Sequence, residues 1–193
     1  VNRNDDMLRI CVPVNLRTWR DQDLTVTNSI SLLFLDRNDE QLRNESTLLA
    51  SIQDELHGTN RKDLRISFVT MLHVARHLPG GLKRFLAKRT CWATCIFSSL
   101  GVLFRNVALP REDEQIVAAN VRLEQWDLVP PMRDNLGLTI CPYTYAGQMS
   151  MVLNYDPSRV DGDQLAMMLR TYLTRLEASI GVHDGDFADT EVV

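Results

Sequence analysis

Few side chains in this 193-residue chain are spaced for chemistry. His73 and His77 stand four apart in an apolar stretch, which would put both imidazoles on one helix face. A zinc peptidase needs HExxH, but position 74 is Val, so the general base is absent. Packing near a helix end explains the pair better than a metal, and no metal site is assigned. Ser98 and Ser99 close an apolar run just before Gly101. A nucleophile elbow reads GxSxG and enters a helix. Here Phe97 to Gly101 reads FSSLG and continues Val-Leu-Phe. The pairs Asp161 with Asp163 and Glu124 with Asp134 read as caps and surface charges, not as a glycosidase couple. His57 suits a helix end, where a cation is favourable. His183 sits in an acidic tail without a flanking strand. No GxGxxG or GxxxxGK[ST] is present, so no residue is given a catalytic role.

Composition narrows the classes further. Hydrophobic residues make up 45% and charged residues 24%, the balance of a globular domain with a sizeable core. A net charge of -4 and a pI near 5.6 speak against a nucleic-acid partner. The cluster Lys83, Arg84, Lys88 and Arg89, like Arg17 and Arg20, reads as a solvated face. No apolar run reaches the roughly 18 residues of a membrane span, and no signal peptide is visible. The chain opens on Val, which suggests an excised or processed piece. Cys11, Cys91, Cys95 and Cys141 all lie in apolar, strand-like runs. That usage suits buried, reduced thiols in a cytoplasmic protein. Strand rise would set Cys91 and Cys95 about 13 Å apart, too far for a disulfide.

Several elements are needed to position these residues. Leu8 to Val14 reads as a strand, with Pro13 demanding an edge or a bulge. Asn28 to Leu35 is a nearly continuous apolar strand that suggests burial on both faces. Asp36 to Glu40 reads as a turn and a helix start. Leu42, Leu49, Ile52 and Leu56 then mark a helix with Glu45, Asp54 and Glu55 outside, ended or interrupted at Gly58 and Asn60. Ile66 to Leu78 is apolar around most of its circumference and is expected to be a buried helix, stopped by Pro79-Gly80-Gly81. Leu82, Phe85 and Leu86 mark a short amphipathic helix. Cys91 to Phe97 is a central strand ended at Gly101. Ile116 to Leu123 alternates as one half-exposed strand. Leu136 to Tyr145 and Gln148 to Tyr155 form a hairpin around Ala146-Gly147. Asp161 caps a last helix with Gln164 in the capping-box position, a stripe of Leu165, Met168, Leu169, Tyr172, Leu173 and Leu176, and a stop at Gly181. The fold class expected is α/β: a two-layer sandwich, with a mixed, mostly antiparallel sheet and helices on one face. Residues 1–181 would form one lobe and residues 182–193 a disordered acidic tail.

Three stretches in this order, LRICVPVNLR from Leu8 to Arg17, SSLGVL from Ser98 to Leu103, and the hairpin from Leu136 to Tyr155, carry a resemblance. So does Pro13 to Arg17 followed by Asn28 and Ser31 in an N-x-x-S strand. The chain resembles the C-terminal half of the CoA-dependent acyltransferase superfamily, which includes condensation domains, alcohol acetyltransferases and wax-ester-synthase-like enzymes. The resemblance implies a chloramphenicol-acetyltransferase-like lobe and transfer of an acyl group from a CoA or carrier-protein thioester to an alcohol or amine. It also implies that catalysis needs HHxxxDG, which these residues lack, so the chain alone is expected to be inactive. No bound cofactor is implied; the co-substrate is acyl-CoA or a phosphopantetheine thioester. Arg17 matches the arginine that pairs with the aspartate of that motif. Asn15, Ser98, Ser99, Gly101, Tyr143 and Tyr145 match positions bordering the substrate tunnel, with core packing the favoured alternative for the two tyrosines. Many relatives read S-N-x-G where this chain has Ser98-Ser99-Leu100-Gly101, so contacts to the acceptor differ there. Implied partners are the missing N-terminal lobe, an acyl-carrier protein or a second copy. A non-catalytic binding or dimerisation lobe of the same fold is the alternative.

Overall fold

In the first strand pair, β1 (Met7–Asn15) runs antiparallel to β2 (Ile30–Asn38) along its full length, from Met7 opposite Asn38 to Asn15 opposite Ile30. The computed structural model describes residues 7–17, 21, 29–61, 67–87, 92–134 and 136–180, without the side chains of 57–61, 85, 86 and 180. Alternation along β2 buries Ser31, Leu35 and Arg37, so one face of this edge strand is the more deeply covered. The expected turn at Asp36 is instead strand. Arg9 lies directly opposite Asp36 and donates two hydrogen bonds to its carboxylate, at 2.5 and 2.6 Å. Those bonds hold the Asp36 carboxyl below the usual carboxylate range and extend the ladder to Asn38. Asn38 then caps α1 (Asp39–Leu42). Its side chain accepts from the Gln41 N–H at 2.9 Å, while its own N–H donates to the Gln41 side chain at 3.0 Å.

Asn44 opens a second helix, α2 (Glu45–Arg61), by accepting from the Leu48 N–H at 2.9 Å. Gly58 and Asn60 lie inside this helix and do not end it, since a helix interior tolerates glycine at a cost of about 1 kcal/mol. Its inward side is also rotated from the expected stripe. Leu49 is exposed, whereas Glu55 turns inward and binds Arg37 at 2.9 Å. Next come α3 (Ser67–His77) and α4 (Gly81–Ala87), separated by a turn in which Gly80 has φ +65. Contrary to expectation, α3 has no buried residue, and Val74 is 55% exposed. An apolar circumference needs neighbours on every side, and the described residues cover only the side of Phe68. That ring meets Phe34 edge-on at 6.3 Å. Phe34 and Arg37, three apart on β2, point to opposite faces. Helices therefore reach both faces at this edge, correcting the expectation of one.

The sheet is mixed, antiparallel at its flanks and parallel through its centre. β3 (Cys95–Phe97) pairs in parallel with β1, Ile10 opposite Cys95, and with β8 (Leu138–Tyr145), Cys95 opposite Leu138. Cys91 lies outside the described residues. β4 (Gly101–Val102) also runs parallel to β8, and β9 (Gln148–Tyr155) pairs with β8 to complete six strands. β8 is buried on both faces, as a central strand must be: Leu138, Thr139, Cys141, Pro142, Tyr143 and Tyr145 are all enclosed. The hairpin at Ala146-Gly147 forms as expected, with φ of 47 and 76 at its two loop positions. Pro13 occupies a position past the last pairing with β3, Cys11 opposite Ile96, so its missing N–H interrupts no ladder there.

A second, three-stranded sheet consists of β5 (Arg111–Glu112), β6 (Gln115–Ala118) and β7 (Val121–Arg122). The single strand expected over Ile116 to Leu123 is thus a hairpin, folded at Ala119-Asn120 with Ala119 at φ 54. Alanine gives no turn signal, and the alternation on its two sides reads as one strand. Two compact units divide the chain, Val1–Asn154 and Tyr155–Val193. The second contains α5 (Gly162–Ile180), whose first turn starts from the Asp161 carbonyl, 3.0 Å from the Leu165 N–H. Leu165 and Leu169 are its buried positions, while Met168 and Tyr172 of the expected stripe are exposed. Gly181 and the tail lie outside the described residues.

Candidate functional site

Because β1, β3, β4 and β8 run parallel, their carboxyl ends share one end of the sheet. In open sheets that end, where loops depart, is where ligands are bound. All seven residues singled out from the sequence fall on this end. Asn15 ends β1 and folds back, its Oδ1 accepting from the Arg17 N–H at 2.9 Å. The adjacent Leu16 N–H is held by the Ser29 carbonyl at 2.9 Å. Arg17 therefore leaves a fixed turn and is half-buried. Arg17 has further interactions of its own.

Ser98, Ser99 and Gly101 lie on a bulge, and Gly101 does not end the strand as expected. The carbonyls of Ile140, Pro142 and Thr144 accept in turn from the N–H groups of Ser98 (2.9 Å), Leu100 (3.0 Å) and Leu103 (2.8 Å). Alternate residues of a strand face the same edge, so β3 and β4 follow one edge of β8. Cys95 stands opposite Leu138, but Gly101 stands opposite Tyr143, so one extra residue is inserted between them. Two features favour this. Pro142 lacks the N–H that a regular ladder would direct at this edge. Gly101 takes φ +63, and an added Cβ would meet nothing within 4 Å, so backbone conformation rather than space calls for glycine. The bulge leaves Ser98 half-buried and Ser99 exposed.

Tyr143 and Tyr145 are 4% and 5% exposed, and both hydroxyls are engaged by backbone. Tyr143 donates to the Trp126 carbonyl at 2.6 Å. Tyr145 donates to the Leu123 carbonyl at 2.6 Å and accepts from the Ile116 N–H at 3.1 Å. Ile116 and Leu123 also share a direct bond, Leu123 N–H to Ile116 carbonyl at 2.9 Å. The Tyr145 hydroxyl thus stands in for the second bond of that pair and ties the small sheet to the large one. Phe104 seals the junction, edge-on to Trp126 at 5.2 Å and to Tyr145 at 6.3 Å. Neither Pro142 nor Phe104 was singled out from the sequence. A proline inside a strand is the one local signal that could have marked the bulge.

This end of the sheet carries amide, hydroxyl and guanidinium groups, suited to binding and orienting rather than to moving protons, while both phenols are spent on backbone. The buried thiols are no nucleophiles: burial pushes Cys11 up to about 11 and raises Cys95 and Cys141 as well. His73 and His77 share a helix face, with their Nε2 atoms 3.2 Å apart, but both are exposed rather than packed. Among the described residues no group of three or more His, Cys, Asp or Glu could hold a metal ion. The His57 side chain and His183 lie outside the described residues. Among described residues, no helix is long and apolar enough to cross a membrane.

A family model described as the WS/DGAT C-terminal domain matches residues 27–177. The chain belongs to this family, a part of the CoA-dependent acyltransferases of the wax synthase/DGAT kind. Ser98, Ser99, Gly101, Tyr143 and Tyr145 fall inside the match, and Asn15 and Arg17 precede it. No curated protein and no solved structure matches the chain.

Proposed function

We propose that residues 1–181 are the C-terminal, chloramphenicol-acetyltransferase-like lobe of an acyltransferase that works with an HHxxxDG-bearing lobe. The acceptor oxygen or nitrogen attacks the thioester carbonyl of an acyl-CoA or acyl-phosphopantetheine. The C–S bond breaks, a C–O or C–N bond forms, and the acceptor proton leaves with the thiol. In this reading the carboxyl ends of β1, β3, β4 and β8 wall the substrate tunnel, with Asn15, Ser98 and Ser99 offering polar contacts. Gly101, Tyr143 and Tyr145 hold that wall in shape. Arg17 pairs with the aspartate of the other lobe, since a buried carboxylate needs a cation to offset its desolvation. Reduced, buried thiols suit the cytoplasm. The family match over residues 27–177 carries the proposal.

The test is acceptor-dependent release of free CoA from acetyl-CoA and longer acyl-CoAs, with a panel of alcohols and amines, by the full-length parent and its Arg17→Ala variant. Turnover that collapses in the variant is the expected result. A parent with no turnover from any donor would overturn the proposal. It would favour a non-catalytic lobe that binds a carrier protein or a second copy, a reading to which the exposed apolar residues of α3, Val69 and Val74, lend support.

A further inference from the structure

Among the described residues no strand pairs with the outer edge of β9, the second flank of the sheet. β9 reads QMSMVLNY, eight residues with no charge, no proline and no glycine. Edge strands in native proteins are usually blunted by charges, prolines or bulges, because their free N–H and C=O groups template further pairing. The opposite edge, β2, does carry such charges, Asp36 and Arg37. Strand alternation identifies the free groups on β9. Ile140, Pro142 and Thr144 of β8 face β3 and β4, so the odd-numbered residues of β8 face β9. Across the two-residue Ala146-Gly147 loop, Tyr145 stands opposite Gln148. The even-numbered residues of β9 therefore bond to β8, and Met149, Met151 and Leu153 turn their N–H and C=O groups outward. Among the described residues those outward groups have no hydrogen-bond partner.

We propose that this edge pairs antiparallel with the same edge of a second copy of the chain, forming one continuous sheet across a two-fold axis. Across a two-fold axis only the central residue meets its own copy and the others pair symmetrically about it, which an uncharged strand does without repulsion. With Met151 on the axis, Met149 faces Leu153 of the other copy, and about six ladder bonds form. Edge pairing alone buries less than a standard interface, so the dimer is weak and depends on concentration. This surface is separate from the acyl-transfer reading and stands or falls without it.

Sedimentation velocity over a wide range of protein concentration, together with amide exchange, is the experiment. The protein should pass from monomer to dimer, and the Met149, Met151 and Leu153 amides should slow as it does. Met151→Pro removes an outward N–H and no bond to β8, and Met151→Lys sets two like charges on the axis. Each should weaken the dimer by at least about tenfold, with circular dichroism confirming the fold. Dimerisation unchanged in both folded variants would overturn the proposal. So would outward amides protected equally at every concentration in a monomer, the sign that another segment covers the edge. Exchange in the unaltered protein decides the matter even where a variant fails to fold.

Discussion

Changing Tyr145 to Phe deletes one hydroxyl and leaves two backbone groups without a partner. In the native protein that hydroxyl reaches the Leu123 carbonyl at 2.6 Å and the Ile116 N–H at 3.1 Å, from a ring only 5% exposed. An unsatisfied buried donor or acceptor costs about 1–3 kcal/mol. Ile116 and Leu123 are half-buried, so water reaches them in part and the low end of that range applies to each. The sum is about 2–3 kcal/mol, with the ring's packing on Phe104 retained. In a domain of this size 1 kcal/mol shifts the unfolding midpoint by about 2–4 °C. The variant should therefore melt roughly 5–10 °C lower. Tyr143→Phe is the internal comparison. Its hydroxyl makes a single bond, to the Trp126 carbonyl at 2.6 Å, so its loss should be about half as large. Denaturant titration measures both, and exchange at the Ile116 amide localises the effect. If Tyr145→Phe costs less than about 0.5 kcal/mol, or less than Tyr143→Phe, or leaves the Ile116 amide unchanged, the bridging role is wrong.

Three further outcomes follow from the same geometry. Gly101→Ala should cost about 1–2 kcal/mol by denaturant titration, because the φ of +63 strains any L side chain although space is free. The stability that Cys11 contributes should be constant below pH 9 and decline as pH rises toward 11, because the folded Cys11 thiol sits at about 11 against 9.0 for a free one. The unfolded chain releases that proton first, so alkali favours unfolding, and Cys11→Ala should flatten the decline in pH-dependent melts. Glu55→Ala should cost about 1–2 kcal/mol, since it removes the carboxylate from Arg37, a residue only 7% exposed, Glu55 itself being part solvated. Arg37→Met, which removes the charge along with its need, should cost less in the same titration.

Local signals were sound where the deciding interactions are local. The Ala146-Gly147 loop needs two residues of positive φ between β-rich runs, and both residues and runs are adjacent in sequence. The α5 helix has its start at Asp161 and its period within one segment. The same reasoning failed where distant residues decide. Asp36 to Asn38 is strand because Arg9 lies across the ladder, and Glu55 turns inward because Arg37 is buried. Ala119 folds a hairpin that only the pairing of Val117 with Arg122 enforces. The apolar circumference of Ile66 to Leu78 was readable, but its partners were not, and the described residues leave much of α3 exposed.

Most strands and helices, the burial of Cys11, Cys95 and Cys141, and the ordered segments that resemble an acyltransferase lobe were legible in the sequence. These follow from period, propensity and composition, which act along the chain. Only the tertiary structure decided that the central strands run parallel and so gather Asn15, Arg17, Ser98, Ser99, Gly101, Tyr143 and Tyr145 at one end. It also decided that Pro142 faces the bulge at Gly101, and that both tyrosine hydroxyls are spent on backbone. Strand direction and register depend on hydrogen bonds between residues as far apart as Cys11 and Ile96, or Ile96 and Thr139. No short-range pattern encodes which of those pairings closes.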